Sequence, residues 1–200
     1  MSKINWFDNL NSTNSVAKEH IEEYDNMSVI ATVQQSAGRG QGDHTWYASP
    51  GKNLTFTIIL KPDRLFASDA LMITRITTLS LLNYLKLKGI TARIKWPNDI
   101  WVEDKKISGI LIENILEGRT IKNSIIGIGL NINERNWPKY LPNPVSLSEL
   151  TGLEYDLQTE LELFLDEFKA QARLLLDDKG RSSLCERFEK NVFRKLAEEI

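Results

Sequence analysis

The chain has 200 residues, enough for one well-filled core. Hydrophobic residues make up 42% and charged residues 26%, which excludes a disordered chain, a collagen-like fibre and a coiled coil. Lys and Arg number 25 against 27 Asp and Glu, so the net charge is −2 and no global basic field points to nucleic acid. Cys185 is the only cysteine, which rules out an intrachain disulfide and suits a reducing compartment. Only His20 and His44 could join it, too few for a Cys/His zinc cluster. The first residues hold no apolar core of signal-peptide length, and no apolar run reaches the roughly 20 residues of a membrane span. A soluble, cytoplasmic protein without a membrane partner is expected.

In chain order, Ser12-Thr13-Asn14 read as a helix start before VAKEHIEEY. Ser28 to Gln35 is β-branched and apolar, then polar, and predicts a buried strand. Ser36 to Asn53 is a polar loop with four glycines, and Leu54 to Leu60 is a second strand. Ser68 to Lys88 predicts a long helix stopped by Gly89. Thr91 to Lys95 is a short strand, followed by a turn at Trp96-Pro97-Asn98-Asp99. Ile100 to Val102 and Lys106 to Ile115 predict a hairpin with residues 103–105 at its tip. Glu117-Gly118 turns the chain into a strand from Thr120 to Asn131. Residues 133–144 form a proline-containing loop, and Ser146 to Leu150 a short helix. Thr159 to Asp177 carries an apolar stripe, and Ser182 to Lys195 is a further helix. The middle connections are too short for βαβ crossovers, so the pattern predicts an α+β fold. Its central sheet is mixed and mostly antiparallel, with helices flanking it.

Four segments offer chemistry. In Gln35 to Trp46, Gly38, Gly40 and Gly42 alternate with Arg39 and Gln41. Glycines let backbone N–H groups approach an anion, and the arginine fork suits phosphate or carboxylate. The same composition also suits a plain surface loop. No Gly-Lys-Ser/Thr ending makes it a P-loop, and no Gly-x-Gly-x-x-Gly opens a helix here. In Lys95 to Asp99, a cation and two oxygen-bearing side chains, Asn98 and Asp99, flank a rigid proline turn. Such groups suit a Mg²⁺-nucleotide, or an ordinary solvated turn. Lys105 and Lys106 point to opposite sides of a strand, so one can face a site. Gly109 inside that strand points to close approach of a ligand or of backbone. Gly127 and Gly129 leave one strand face bare, with Asn131 on the same face. A flat heterocycle could lie there, or a helix could pack on it.

Taken together and in this order, these segments resemble the biotin–protein ligases, also called biotin–[acetyl-CoA-carboxylase] ligases. The matching stretches are Ser12-Thr13-Asn14, Gln35 to Gly40, KWPND at 95–99, KKISGILIE at 105–113 and GIGLNIN at 127–133. The resemblance spans roughly residues 4–190. It implies a catalytic fold like that of class II aminoacyl-tRNA synthetases and lipoate ligases. It also implies two half-reactions. Biotin and ATP give biotinoyl-5′-AMP and pyrophosphate, and biotin then passes to one lysine of a biotin carboxyl carrier protein domain.

Carried over by motif, Ser12, Thr13 and Asn14 would hold the biotin ring system. Gln35, Gly38, Arg39 and Gly40 would line the biotin and acyl-phosphate region, with Gly109 close by. Lys106 would hold the biotin carboxylate and, with Arg39, screen the charge that develops on phosphorus. Trp46 would stack on the nucleotide side, and Lys95 and Asn98 would order that end. Asn131 would contact the phosphates or their Mg²⁺. The loop departs from the Arg-Arg-Gly continuation of well-known members, having Gln41-Gly42-Asp43 instead, which leaves retention of the adenylate open. His44 could restore part of the charge.

The resemblance further implies that residues 1–200 are a single catalytic domain. No helix-turn-helix domain precedes Ser12, and no SH3-like domain has room after the last helix. DNA binding is therefore not expected, and a homodimer stays open. A lipoate or octanoate ligase of the same fold and a non-catalytic biotin-binding module are the alternatives.

Overall fold

The structure is a computed structural model, and it describes residues 3–193. Its elements are β1 (Ile4–Leu10), α1 (Thr13–Glu19), β2 (Ser28–Gln35), β3 (Leu54–Leu60), α2 (Leu71–Leu87), β4 (Arg93–Lys95) and β5 (Asp99–Val102). They continue with β6 (Lys105–Glu117), β7 (Thr120–Leu130), α3 (Leu147–Thr151), α4 (Leu157–Arg173), α5 (Asp178–Asn191) and β8 (Val192–Phe193). The strands form one sheet in the order β1-β2-β3-β7-β6-β5-β4-β8. Five ladders are antiparallel, and the two outermost, β1 with β2 and β4 with β8, are parallel. The sheet is mixed and mostly antiparallel with flanking helices, as the pattern predicts.

Side-chain alternation along the central strands sorts the core. Val29, Ala31, Phe56, Ile58, Ile126 and Ile128 face one way and pack with α2, α4 and α5. Phe164 of α4 meets Phe56 of the sheet and Tyr84 of α2 edge to face, with ring centroids 5.4 and 6.3 Å apart. Ile30, Ile59 and Ile125 face the other way, under Ala17 of α1. That helix has only seven residues, so it covers only part of its face. The same face carries Gly127, beneath the start of α1, and Gly129 beyond it, and becomes the floor of the site.

The structure differs from the sequence expectation mainly at the edges. Residues 4–10 form β1, for which no strand was expected. Asn5, Asp8 and Asn9 dilute its apolar pattern, as an edge strand allows. Because β1 runs parallel to β2 across α1, this end of the sheet does contain a crossover. The long helix α2 starts after a 3₁₀ turn at Ala67–Asp69. It ends in a Schellman motif, with Ile90 N–H donating to Leu85 O and Gly89 N–H to Lys86 O, both 3.0 Å, and Gly89 at φ 76°. The helix expected over 159–177 stops at Arg173, and Asp177 caps the next through a 2.7 Å bond from Gly180 N–H. The last helix ends at Asn191, because Val192 and Phe193 pair with β4. Residues 194 and 195 of the expected helix lie outside the described residues. No helix among the described residues is long and apolar enough to cross a membrane.

Candidate active site

Sheet register places a row of small groups side by side. Thr55, Gly129, Gly109 and Asp99 are neighbours across β3, β7, β6 and β5, and Thr57, Gly127 and Leu111 form the next row. All of these lie on the face that α1 covers only in part. A cavity of about 620 Å³ lies above them, within the range of small-molecule sites. Ser12, Thr13, Asn14, Gln35, Arg39, Gly40, Trp46, Lys95, Asn98, Lys106 and Gly109 all line it. The structure thus brings eleven of the thirteen residues named from sequence around one space. Gly38 and Asn131 stand outside its walls.

At the α1 end the groups are hydrogen-bonded to one another. Ser12 is the N-cap of α1, accepting from Ser15 N–H at 3.5 Å. Gln35 Oε1 accepts from the Thr13 N–H at 2.8 Å. Thr57 Oγ1 donates to Asn14 Oδ1 at 2.6 Å and lies 2.8 Å from Thr13 Oγ1. Asn14 Nδ2 donates to Leu111 O at 3.2 Å and to Glu113 Oε2 at 3.1 Å. A Cβ at Gly127 would collide with the Asn14 amide, so a bare strand is what lets α1 sit this close.

The loop between β2 and β3 closes over the floor. Gly40 N–H donates to His44 O at 2.8 Å and Trp46 N–H to Gly38 O at 3.0 Å, forming a small hairpin. Gly38 is needed for that hairpin, since a Cβ there would strike the Trp46 carbonyl. The Trp46 ring lies against Gly109 and Gly129, and a Cβ at Gly129 would collide with its indole. Its Nε1 is buried without a partner. The bare face thus receives an aromatic ring from the loop.

Two of the cations are paired with carboxylates and the third lies over an aromatic ring. Lys106 Nζ is 2.7 Å from Asp99 Oδ1 and 5.3 Å from the centre of the Trp46 ring. Arg39 makes a two-pronged contact with Glu113, at 3.1 and 3.3 Å. Burial alone would raise the Glu113 carboxyl. Hydrogen bonds from Asn14 and Arg39, with the charges of Arg39 and Lys18, outweigh it and leave Glu113 below the usual carboxylate value. Lys95 lies 4.0 Å from the centre of the Trp101 ring. Asn98 is a latch, with its side-chain Nδ2 donating to Ile110 O at 2.8 Å and its backbone carbonyl accepting from Ile110 N–H at 2.9 Å.

Which of the two lysines faces the site depends on a β-bulge. Ile100 pairs with Ser108 but Trp101 pairs with Lys106, so Ile107 is the extra residue on β6. In regular pleating Lys106 and Gly109, three apart, would point to opposite faces. The bulge puts both on the cavity side. Lys106 is further pinned by Asn143, whose carbonyl accepts its N–H at 2.7 Å. Asn131 is buried, and its Nδ2 donates to Lys106 O at 3.3 Å and Val145 O at 3.0 Å. Its Oδ1 is buried without a partner.

Sequence reasoning assigned no role to Glu113 or Thr57, and it offered Asp99 to a Mg²⁺-nucleotide where the structure sets it against Lys106. Asp99 and Glu113 sit inside quoted motifs, so a search for the counter-charge of each cation could have found them. Thr57 carries no sequence signal, because a threonine in an apolar strand reads as β propensity.

A glycine-floored cleft with Arg39, Lys95 and Lys106 in its walls and an amide-hydroxyl network thus lies on a mixed sheet backed by helices, a small-molecule site. The chain belongs to the biotin/lipoate A/B protein ligase family, whose profile matches residues 6–131. It is 31% identical over 172 residues to the biotin–[acetyl-CoA-carboxylase] ligase of Paracoccus denitrificans, covering 82% of this chain and 70% of that protein. It is 32% identical over 133 residues to the bifunctional ligase/repressor BirA of Bacillus subtilis, covering 64% of this chain and 41% of that protein. The chain thus spans less than half the length of that relative, and 56% of BirA from Escherichia coli. The biotin protein ligase from Aquifex aeolicus in complex with biotin and ATP shares the fold, with a TM-score of 0.83 at 24% identity, over 96% of this chain and 79% of that one.

Proposed function

We propose that the chain activates biotin with ATP to biotinoyl-5′-AMP and passes biotin to a lysine of a biotin carboxyl carrier protein domain. The observation that carries this reading is the convergence of Lys106 and Arg39 on one cavity, beside the Thr13–Asn14–Gln35–Thr57 network. That network offers donors and acceptors suited to a ureido ring, and the two cations suit a carboxylate meeting a phosphate.

In the first step a carboxylate oxygen of biotin forms a bond to the α-phosphorus, and the bond to the β-phosphate oxygen breaks, releasing pyrophosphate. Lys106 and Arg39 would exchange Asp99 and Glu113 for the ligand's anions. Both ion pairs are partly exposed, so exchanging them costs little. Fixed cations then favour the charge that develops, without a covalent enzyme intermediate. In the second step the carrier lysine amine attacks the acyl carbon, AMP leaves and the amine loses a proton.

No cluster of three His, Cys, Asp or Glu suited to a metal occurs among the described residues. A Mg²⁺ ion that arrives on a triphosphate keeps several waters and needs few protein ligands. Mg²⁺ would neutralise phosphate charge. Asn131 Oδ1, an acceptor buried without a partner beside the Lys106 backbone, lies behind the cavity wall and would reach that ion only if the wall opened. Trp46 would flank the base, with Lys95 and Asn98 holding that end of the cleft. A single free cysteine supports a cytoplasmic setting.

The test is pyrophosphate release with biotin, ATP and Mg²⁺, followed by labelling of a carrier domain. Release with biotin but not with lipoate is expected. Release with lipoate alone would transfer the assignment to the lipoate branch of the family, and binding without release would leave only a biotin-binding module.

A further inference from the structure

Glu113 lies on β6, on the same face as Gly109 and Leu111 and just beyond the cavity wall. Its carboxylate joins parts of the site that come from three separate stretches of chain. Oε2 accepts from Asn14 Nδ2 and from Arg39, each at 3.1 Å. Oε1 accepts from Arg39 at 3.3 Å and from Lys18 at 3.5 Å. Both oxygens therefore receive donors from α1 and from the loop at once. The Asn14 amide is oriented by the same arrangement, with Oδ1 toward Thr57 and Nδ2 toward Glu113.

We propose that Glu113 is a positioning residue that couples ring recognition on α1 to the loop cation Arg39. This rests on the proposed function. The loop hairpin holds glycines at 38, 40 and 42, and its own backbone bonds are internal. Arg39 on Glu113 and Trp46 on the glycine floor are the side-chain contacts that fasten it to the sheet. A ligand ring that settles Asn14 also settles the carboxylate, and through it the guanidinium until that passes to the ligand's anion. Before the ligand's anion arrives, the carboxylate keeps Arg39 at the cavity edge.

Glu113→Gln separates charge from shape. Each carboxylate oxygen already accepts from a donor on each side, so either orientation of the Gln amide sets an NH₂ against a donor. The variant should break the joint while leaving the fold intact. Pyrophosphate release would be measured for the wild type, E113Q, R39A and the double variant. R39A should cost about 100-fold in kcat/KM for biotin in the wild-type background. E113Q should cost about tenfold, and R39A should then cost only about a further tenfold in the E113Q background, leaving the double variant no worse than R39A alone, because coupled residues are not additive. Multiplying effects, or an E113Q activity within about twofold of wild type, would overturn the proposal.

Hydrogen exchange of the ligand-free protein supplies an arm independent of activity. E113Q should speed exchange in residues 38–46 and leave β3 and β7 unchanged. Unchanged exchange in 38–46 would overturn the proposal. If the wild-type chain releases no pyrophosphate, the ligase reading fails, and this arm alone decides whether Glu113 fastens the loop.

Discussion

Lys106 Nζ stands 2.7 Å from Asp99 Oδ1, so the cation assigned to the carboxylate already has a carboxylate beside it. The pair holds the lysine on the cavity side and is partly exposed, so an anion could displace it. Lys106→Ala should therefore abolish adenylation and spare the fold. The loss should be about 2.7–4 kcal/mol of transition-state stabilisation, as for other single electrostatic donors. The lysine has no core role, so the melting temperature should move by only a few degrees at most. Near wild-type pyrophosphate release by this variant would remove Lys106 from the mechanism.

Gly129→Ala tests the bare floor. Its new methyl meets the Trp46 indole directly, so the ring must leave the sheet. Trp46 fluorescence should shift to the red, and ATP binding should weaken. Trp46→Ala in the same chain should recover any stability lost on Gly129→Ala, because the collision is gone. A fluorescence spectrum identical to wild type would show that the ring does not rest there.

The lowered carboxyl of Glu113 gives a pH signature. A group whose folded value is depressed stabilises the protein above its ordinary value, here 4.5, and loses that contribution as pH falls through the lowered folded value. The melting-temperature gap between wild type and E113Q should be full near neutral pH and close below about pH 4.5. A gap that widens in acid would mean that the carboxylate is not held by Arg39, Asn14 and Lys18.

Far from the cleft, Glu160 ties α4 to α2. Its Oε2 accepts from Tyr84 Oη at 2.6 Å, and Lys88 Nζ lies 2.6 Å from the same oxygen. Burial, then the hydrogen bond to Glu160, pushes the Tyr84 phenol far above its ordinary value, so it stays a donor. Glu160→Ala strands a buried phenol and a half-enclosed ammonium. It should cost about 3–5 kcal/mol in denaturant unfolding, with kcat of the surviving folded protein unchanged. A loss below about 1 kcal/mol would show that the network adds little.

Asn98→Ala should cost about 1 kcal/mol, the worth of its bond to Ile110 O. Because Asp99 follows directly, the variant should also lower activity through Lys106. Loss of stability with full activity would confine Asn98 to the turn.

Much of this site is legible in the amino-acid order. The spacing of Gly127, Gly129 and Asn131, the Gly-Arg-Gly run and the strand–turn–strand around Pro97 are local patterns. Backbone sterics and period-two alternation act over a few residues, so such patterns survive without knowledge of partners. The central strands, the glycine stop of α2 and the mixed sheet are legible for the same reason. Tertiary structure decided what depends on register and on distant neighbours. By residue pattern alone Lys105 and Lys106 are equivalent, and the family resemblance picked Lys106; the bulge at Ile107 is what turns Lys106 toward the cavity. Glu113 and Asp99 acquire their roles only when sheet pairing sets them beside cations from other segments. β1 exists because β2 offers a free edge, since its own mixture of Asn, Asp and apolar residues is too weak to specify a strand. Asn131 shares a face with the two glycines by alternation, yet the chain leaves the sheet at Leu130 and buries its amide against Lys106 and Val145. Contact between residues far apart in the chain is a property of the packed whole, and no window of sequence contains it.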